Sequence, residues 1–249
     1  MSNSKLTPEE IMAQKTRRSF LALGAGAAAA IAGWEWLDHQ PEEYSTLAPL
    51  RKVFAANEGV VRNVLYSNSH LAPVFPKSAI TEQKENGADG LDDDLDDTWR
   101  LEVVPRGSDD PSHTLTVDAV KALPKYEQII EFKCVEGWSA ISHFAGARFS
   151  DFTAKFAPGS ENAAYAGLLT PDAEYYVGLD MPSALHPQTL LAYEMNGQPL
   201  TEGHGAPLRL VIPVKYGIKN IKRIGRIEYT DTRPDDFWHE RGYDYYSGL

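Results

Sequence analysis

The chain has 249 residues, with 24 basic and 35 acidic side chains, a net charge of −11 and one cysteine. That balance speaks against nucleic acid and anionic lipid headgroups as partners, since both are held by clustered Lys and Arg. A lone cysteine closes no internal disulfide, so nothing covalent staples the fold.

Near the N-terminus, Thr16-Arg17-Arg18-Ser19-Phe20-Leu21 precedes an apolar run over residues 21–33 rich in Ala and Gly. A charged head before a short apolar core marks an export segment. The paired arginines resemble the twin-arginine (Tat) pattern, with Ala22 where that pattern often has lysine. The run lacks the polar face of an amphipathic helix and is shorter than the roughly 20 residues of a spanning one. Ala30-Ile31-Ala32 offers a small-residue cleavage site, whereas Trp34 and Trp36 suit the interfacial end of a retained anchor. A cleaved signal and a membrane anchor both stay open. Residues 1–33 are therefore read as signal or anchor, 34–249 as a folded body, and the location as periplasmic or otherwise exported. Removing the first 32 residues takes away four basic and two acidic side chains, so the body is more acidic than the whole chain.

Residues 42–57 carry Leu47, Leu50, Val53 and Phe54 at helical spacing, and 60–65 form a short β-branched run. Residues 85–97 are nearly all Glu, Asp, Asn and Gly and predict an exposed loop. The aspartates within 92–97 lack the ligand spacing, glycine and glutamate of an EF-hand, and read as a solvated charge run. Period-two alternation predicts a strand over 99–103, then turns over 105–112 and a helix over 116–123 closed by Pro124. A strand over 128–135 places Cys134 near its end. Further strands are predicted over 175–179, 190–193, 208–214 and 221–229. No repeat and no regular strand–helix alternation occurs, which points to an α+β fold of mostly short strands.

Cys134 lies between Lys133 and Glu136, and as a residue type it fits an inert thiol, a nucleophile or a soft-metal ligand. None of the seven histidines stands at a spacing that selects it as a partner base, and no zinc-ligand spacing occurs.

A series of segments narrows these readings. Lys133-Cys134-Val135-Glu136-Gly137-Trp138-Ser139 is followed by Ala184-Leu185-His186-Pro187 and by Leu191-Ala192-Tyr193-Glu194-Met195-Asn196-Gly197. His204-Gly205-Ala206-Pro207-Leu208-Arg209 and Lys215-Tyr216-Gly217-Ile218-Lys219-Asn220-Ile221-Lys222 come next. In this order, across roughly residues 60–249, the chain resembles the sulfite oxidase family of molybdopterin-dependent oxidoreductases. The resemblance implies a single-domain, mixed-sheet α+β fold of the sulfite oxidase type. It further implies a molybdenum–molybdopterin cofactor, with Cys134 as the metal ligand and catalytic residue beside a pterin dithiolene, and two-electron oxygen-atom transfer as the reaction. Arg209 and Lys222 match positions that meet the pterin phosphate, with Asn220 and Ile221 in the same segment. His204 stands where sulfite oxidases have histidine and methionine-sulfoxide-reducing relatives have asparagine. Tyr66, Ser67, Asn68, Ser69 and His70 align with an aromatic-x-Arg-Asn-His segment that wraps the pterin, and Thr170 with a further cofactor contact.

Asn68 replaces the arginine of sulfite oxidases, which implies a weaker hold on the sulfite dianion. Trp138 and the aromatic tail at 243–246 fit core, surface or substrate contacts alike. No haem module precedes the body, no β-sandwich follows it before Leu249, and Cys-x-x-Cys-His needs two cysteines. The implied partners are a small-molecule or sulfoxide substrate and a separate electron-transfer protein, with a haem protein the candidate. The alternatives are a sulfoxide reductase of the same family and a cofactor-free binding protein that keeps the fold.

Overall fold

The computed structural model of the protein describes residues 7–85, 87–91 and 98–248. They form two compact units, residues 1–53 and 54–249. In the first, Ala-rich sequence of high helix propensity builds α1 (Pro8–Asp38). Its Met12–Asp38 portion, 27 residues, is long and apolar enough to cross a membrane, which corrects the shorter length expected from residues 21–33 alone. The helix simply continues on both sides of the apolar run. Next come β1 (Glu42–Glu43) and β2 (Thr46–Leu47), an antiparallel pair where the spacing predicts helix, and then α2 (Ala48–Val60).

Residues 60–65 are not the extended run that their β-branched side chains suggest. Val61–Leu65 is a π-helical turn prolonging α2, closed by Tyr66 N–H donating to the Val61 carbonyl at 2.7 Å. Arg62 pairs with Glu58 at 3.1 Å across one helical turn. Continuity of helical bonding overrides a weak strand preference here.

The rest of the second unit consists of β3 (Leu101–Val104), β4 (His113–Leu115), α3 (Val117–Lys121), β5 (Lys125–Lys133), β6 (Ser139–Arg148) and α4 (Phe149–Phe156). These are followed by β7 (Tyr165–Leu169), β8 (Tyr176–Asp180), α5 (Met181–Ala184), β9 (Leu190–Met195), β10 (Gln198–Pro199), β11 (Arg209–Val211), β12 (Arg226–Thr230) and α6 (Phe237–Glu240). One sheet is antiparallel in the order β10-β9-β6-β5, with β11 also on β9; the other is mixed, β4-β3-β12-β7-β8, with β3 and β12 parallel. Leu101, Val103, Leu168 and Ile227 from the mixed sheet pack with Leu191 and Leu210 from the antiparallel one and with Phe149 and Phe152 of α4. A smaller cluster, Ile130, Phe144, Leu190 and Val211, is also built from the antiparallel sheet.

The predicted strands at 99–103, 128–135, 175–179, 190–193 and 208–214 and the helix at 116–123 all correspond to observed elements within a few residues. Of 221–229, only the part from Arg226 onward is strand, within β12 (Arg226–Thr230). The aspartates at 92–97 lie outside the described residues.

The β6–β9 pairing shifts register between Ala145 and Gly146. A Cβ at Gly146 would sit 2.1 Å from the Leu191 carbonyl oxygen, backbone that cannot rotate away. Gly146→Ala should therefore lower stability by about 3 kcal/mol, the upper end for overpacking, read as a lower urea midpoint at unchanged slope.

Candidate cofactor site

β5 ends at Lys133 and β6 begins at Ser139, so Cys134 stands at the tip of a hairpin. Cys134 N–H donates to the Trp138 carbonyl at 2.9 Å, and Gly137, at φ +87°, supplies the left-handed residue the turn needs. Trp138 stacks on Phe132 with ring centroids 5.8 Å apart, which holds the tip against the sheet. The half-buried Cys134 Sγ lies 3.8 Å from Glu136 Oε2, and the same oxygen accepts from Trp138 Nε1 at 2.8 Å. Burial, together with the Glu136 charge, pushes the thiol pKa up. This is the reverse of the electropositive setting that makes a nucleophilic cysteine.

Cys134, Val135 and Glu136 form one wall of a cavity of about 120 Å³. The same cavity is lined by Gly217, Ile218, Asn220 and Lys222, by the aromatic Tyr175, Trp238 and Tyr243, and by Gly87 and Asp89. Lys222 Nζ donates to the Gly87 carbonyl at 2.8 Å. Burial and the Arg209 charge push Lys222 down to about 8, with Glu85 and Asp89 opposing. Arg209 is fully enclosed, and burial pushes it down to about 10. It donates to the His204 carbonyl at 3.0 Å and to the Asn220 carbonyl at 3.5 Å, while its Nε has no partner. His204 is pushed down by burial, then by Arg209 and Lys222. His204, Arg209 and Lys222 are thus one basic cluster, met by the carboxylates of Glu85 and Asp89.

Backbone shape holds the cluster together. Gly205 sits at φ +95°, and a Cβ there would come within 2.7 Å of Lys222 Cβ and 2.9 Å of its Cα. Asn220 Oδ1 accepts from Ile212 N–H at 2.8 Å, and its Nδ2 donates to the Tyr216 carbonyl at 3.1 Å, so the amide clamps the segment that carries Lys222. Ile221 is 1% exposed and packs in the core, leaving only its backbone to serve the site.

Other residues singled out from the sequence are placed elsewhere. Thr170 Oγ1 donates to Asp172 Oδ1 at 2.5 Å and accepts from Tyr175 N–H at 3.1 Å, so it braces the turn that presents Tyr175 to the cavity. Tyr66 lines a different cavity of about 510 Å³, with Glu58, Arg62, Asp180 and Arg233. Its hydroxyl donates to Asn68 Oδ1 at 2.7 Å and also contacts the Pro182 carbonyl. Ser67 pairs with Ser69 at 2.7 Å, and His70 Nδ1 lies 3.3 Å from the Leu65 carbonyl. The segment 66–70 is therefore not brought into the Cys134 cavity. The chain instead runs along β5, where Val74 bridges Ile130 and Phe75 N–H donates to the Ile129 carbonyl at 2.9 Å, and residues 87 and 89 supply the wall. Gly87, Asp89, Tyr175 and Trp238 are the lining residues that sequence reasoning missed.

The lowered Lys222 pKa has a testable sign. Above about pH 8 the amine is neutral in the folded state but still protonated, up to its ordinary 10.5, in the unfolded chain. The unfolded state then binds more protons, and stability rises with pH through that window. Anion binding needs the ammonium and runs the other way. Sulfate, which does not titrate in this range, should bind the cofactor-free protein less tightly as pH rises through about 8, as measured by calorimetry. A flat profile would remove Lys222 from the anion site.

Residues 89–238 match the family model for the oxidoreductase molybdopterin-binding domain. The chain belongs to this family. Over 238 residues it is 34% identical to a protein of Azospira oryzae that carries the provisional name protein-methionine-sulfoxide reductase subunit YedZ1, covering 93% of this chain and 87% of that one. The protein-methionine-sulfoxide reductase catalytic subunit MsrP of Campylobacter jejuni is 30% identical over 249 residues, covering 94% of this chain and 78% of the relative. Among solved structures, the sulfane dehydrogenase SoxCD of Paracoccus pantotrophus superposes with a TM-score of 0.51 at 19% identity, over 67% of this chain and 46% of that one. The protein is thus an oxidoreductase of the molybdopterin family, and its mixed-sheet α+β architecture is the one its motifs implied.

The donor chemistry fits a molybdopterin. Among the described residues no group of three or more His, Cys, Asp or Glu is placed to hold a metal, so a metal at Cys134 would need further ligands from a cofactor. Arg209, enclosed and with an unpartnered Nε, is a buried charge that calls for an anion.

Proposed function

We propose that the protein is an exported molybdenum-cofactor oxidoreductase that reduces sulfoxides, with Cys134 as the protein ligand to the metal. One observation carries the reading: a single half-buried thiol shares its cavity with Lys222, and the enclosed Arg209 and His204 adjoin that lysine. The direction of transfer is supported by the names of two relatives aligned over nearly the whole chain. The cofactor supplies two-electron oxygen-atom transfer, while the protein supplies binding, orientation and charge.

Within that division, Cys134 gives a thiolate once coordination has overcome its raised pKa, and Glu136, 3.8 Å from Sγ and held by Trp138, is placed to take the thiol proton. Lys222 and Arg209 hold the pterin phosphate through charge-assisted bonds. His204 completes this basic end, and the backbone of Asn220 and Ile221 orients it. The cavity is smaller than the roughly 300–1,000 Å³ of small-molecule sites, so the segment carrying Gly87 and Asp89 has to yield when the cofactor enters. The N-terminal helix serves as export signal or anchor, and electrons come from a separate protein, with a haem protein the candidate.

The test is a turnover screen of the purified, cofactor-loaded protein with artificial electron carriers. Reduction of methionine sulfoxide well above any oxidation of sulfite is expected. Fast sulfite oxidation with no sulfoxide reduction would overturn the proposed direction.

A further inference from the structure

Trp238 of α6 and Tyr243 of the turn after it line the same cavity as Cys134. Asp236 caps α6 by accepting from His239 N–H at 3.0 Å. Its other oxygen accepts from Gly178 N–H at 3.1 Å and from buried Lys219 Nζ at 2.5 Å. Lys219 precedes Asn220 and Lys222 by one and three residues, so the ion pair ties α6 to the segment that forms the basic wall. Tyr243 N–H donates to the Trp238 carbonyl at 3.0 Å, and the two rings meet edge to face with centroids 5.1 Å apart. Phe237 backs Trp238 at 5.3 Å and Tyr175 at 5.1 Å. Rings held in place by these contacts therefore share a small cavity with the Cys134 thiol. At its mouth, Tyr243 and Val135 are 39% and 36% exposed.

We propose that Trp238 and Tyr243 are specificity-determining residues that grip the S-methyl end of a methionine sulfoxide side chain and leave its oxygen facing Cys134. The inference rests on the sulfoxide-reductase reading and adds the residues that select the substrate. Polarisable sulfur and its methyl are attracted to aromatic rings, whereas an inorganic oxyanion gains nothing from them. Val135 and Tyr243, both partly exposed, leave the cavity lining open to a peptide that carries the side chain.

The test uses cofactor-loaded protein with a peptide containing methionine sulfoxide. Trp238→Leu and Tyr243→Leu keep apolar volume without the ring, and each should raise KM about tenfold, the upper end of a sulfur–aromatic contact, with kcat and molybdenum content changed much less. Tyr243→Phe should recover most of the affinity lost in Tyr243→Leu. Independently, the Trp238 indole N–H resonance, assigned by its loss in Trp238→Leu, should shift when N-acetylmethionine sulfoxide is added to the loaded wild type. Tyr243 is exposed, so its variant reports even where Trp238→Leu folds poorly. Unchanged KM in Tyr243→Leu with a silent Trp238 resonance would overturn the inference while wild-type sulfoxide reduction leaves the proposed function standing. A loaded wild type that reduces no sulfoxide would overturn both.

Discussion

Cys134→Ser should abolish turnover, by at least about a thousandfold, while the fold persists. The Sγ atom makes one polar side-chain contact, 3.8 Å to Glu136, and the hairpin tip is held instead by the Cys134 N–H to Trp138 bond and by Trp138 stacked on Phe132. Stability should therefore change by no more than roughly 0.5 kcal/mol, as at a surface position. Chemistry changes far more, because a hydroxyl is protonated at neutral pH and is a poor ligand for a metal that selects thiolates. Circular dichroism and the melting midpoint should match wild type. Near-normal turnover in this variant would remove the proposed ligand role.

The second large effect is expected at Arg209. Arg209→Met keeps much of the volume and the contact with Phe132 and Phe144, whose ring centroids lie 5.9 and 5.5 Å from the guanidinium. It deletes a charge that burial has pushed down to about 10 and whose Nε is unpartnered. Without cofactor, the substitution should leave stability unchanged or raise it, since a buried charge is exchanged for apolar volume. With cofactor the sign reverses. One lost charge-assisted bond of about 1.5–3 kcal/mol weakens retention roughly tenfold to hundredfold. Activity per bound molybdenum should change little. Full cofactor content in an inactive Arg209→Met would assign the residue to substrate rather than phosphate.

What the sequence discloses follows from how each element is exposed. β5 alternates because one face is solvated, and that alternation by itself sets Cys134 at a strand end. β6 is almost continuously buried from Ser142 to Ala147 and shows no alternation, so the strand that completes the cysteine hairpin leaves no periodic signal. α4 and β7 are likewise absent from the sequence-based expectation. Arg209 and Lys222 are legible through the order of their segments, because short-range motifs carry the basic wall. The aromatic wall has no such signature. Tyr175 and Trp238 reach the cavity through the mixed sheet and α6, and of the aromatic tail only Tyr243 lines it, while Tyr245 and Tyr246 are 3% and 5% exposed. Glu85 and Asp89 read as solvated charge, yet they face Lys222, a pairing visible only once the chain is folded. Segment 66–70 behaves differently. Its aromatic-to-histidine pattern points to the pterin, but the helical turn before it and the β5 pairing after it lead Tyr66 to another cavity.

The most direct measurement is metal and pterin analysis, with molybdenum X-ray absorption, on wild type and Cys134→Ser purified from cells that make the cofactor and export the protein. Molybdenum and pterin equimolar with the wild-type chain, and one fewer sulfur around the metal in the mutant, is the predicted result. Well-folded wild-type protein free of molybdenum, or the same sulfur coordination in both proteins, would contradict it.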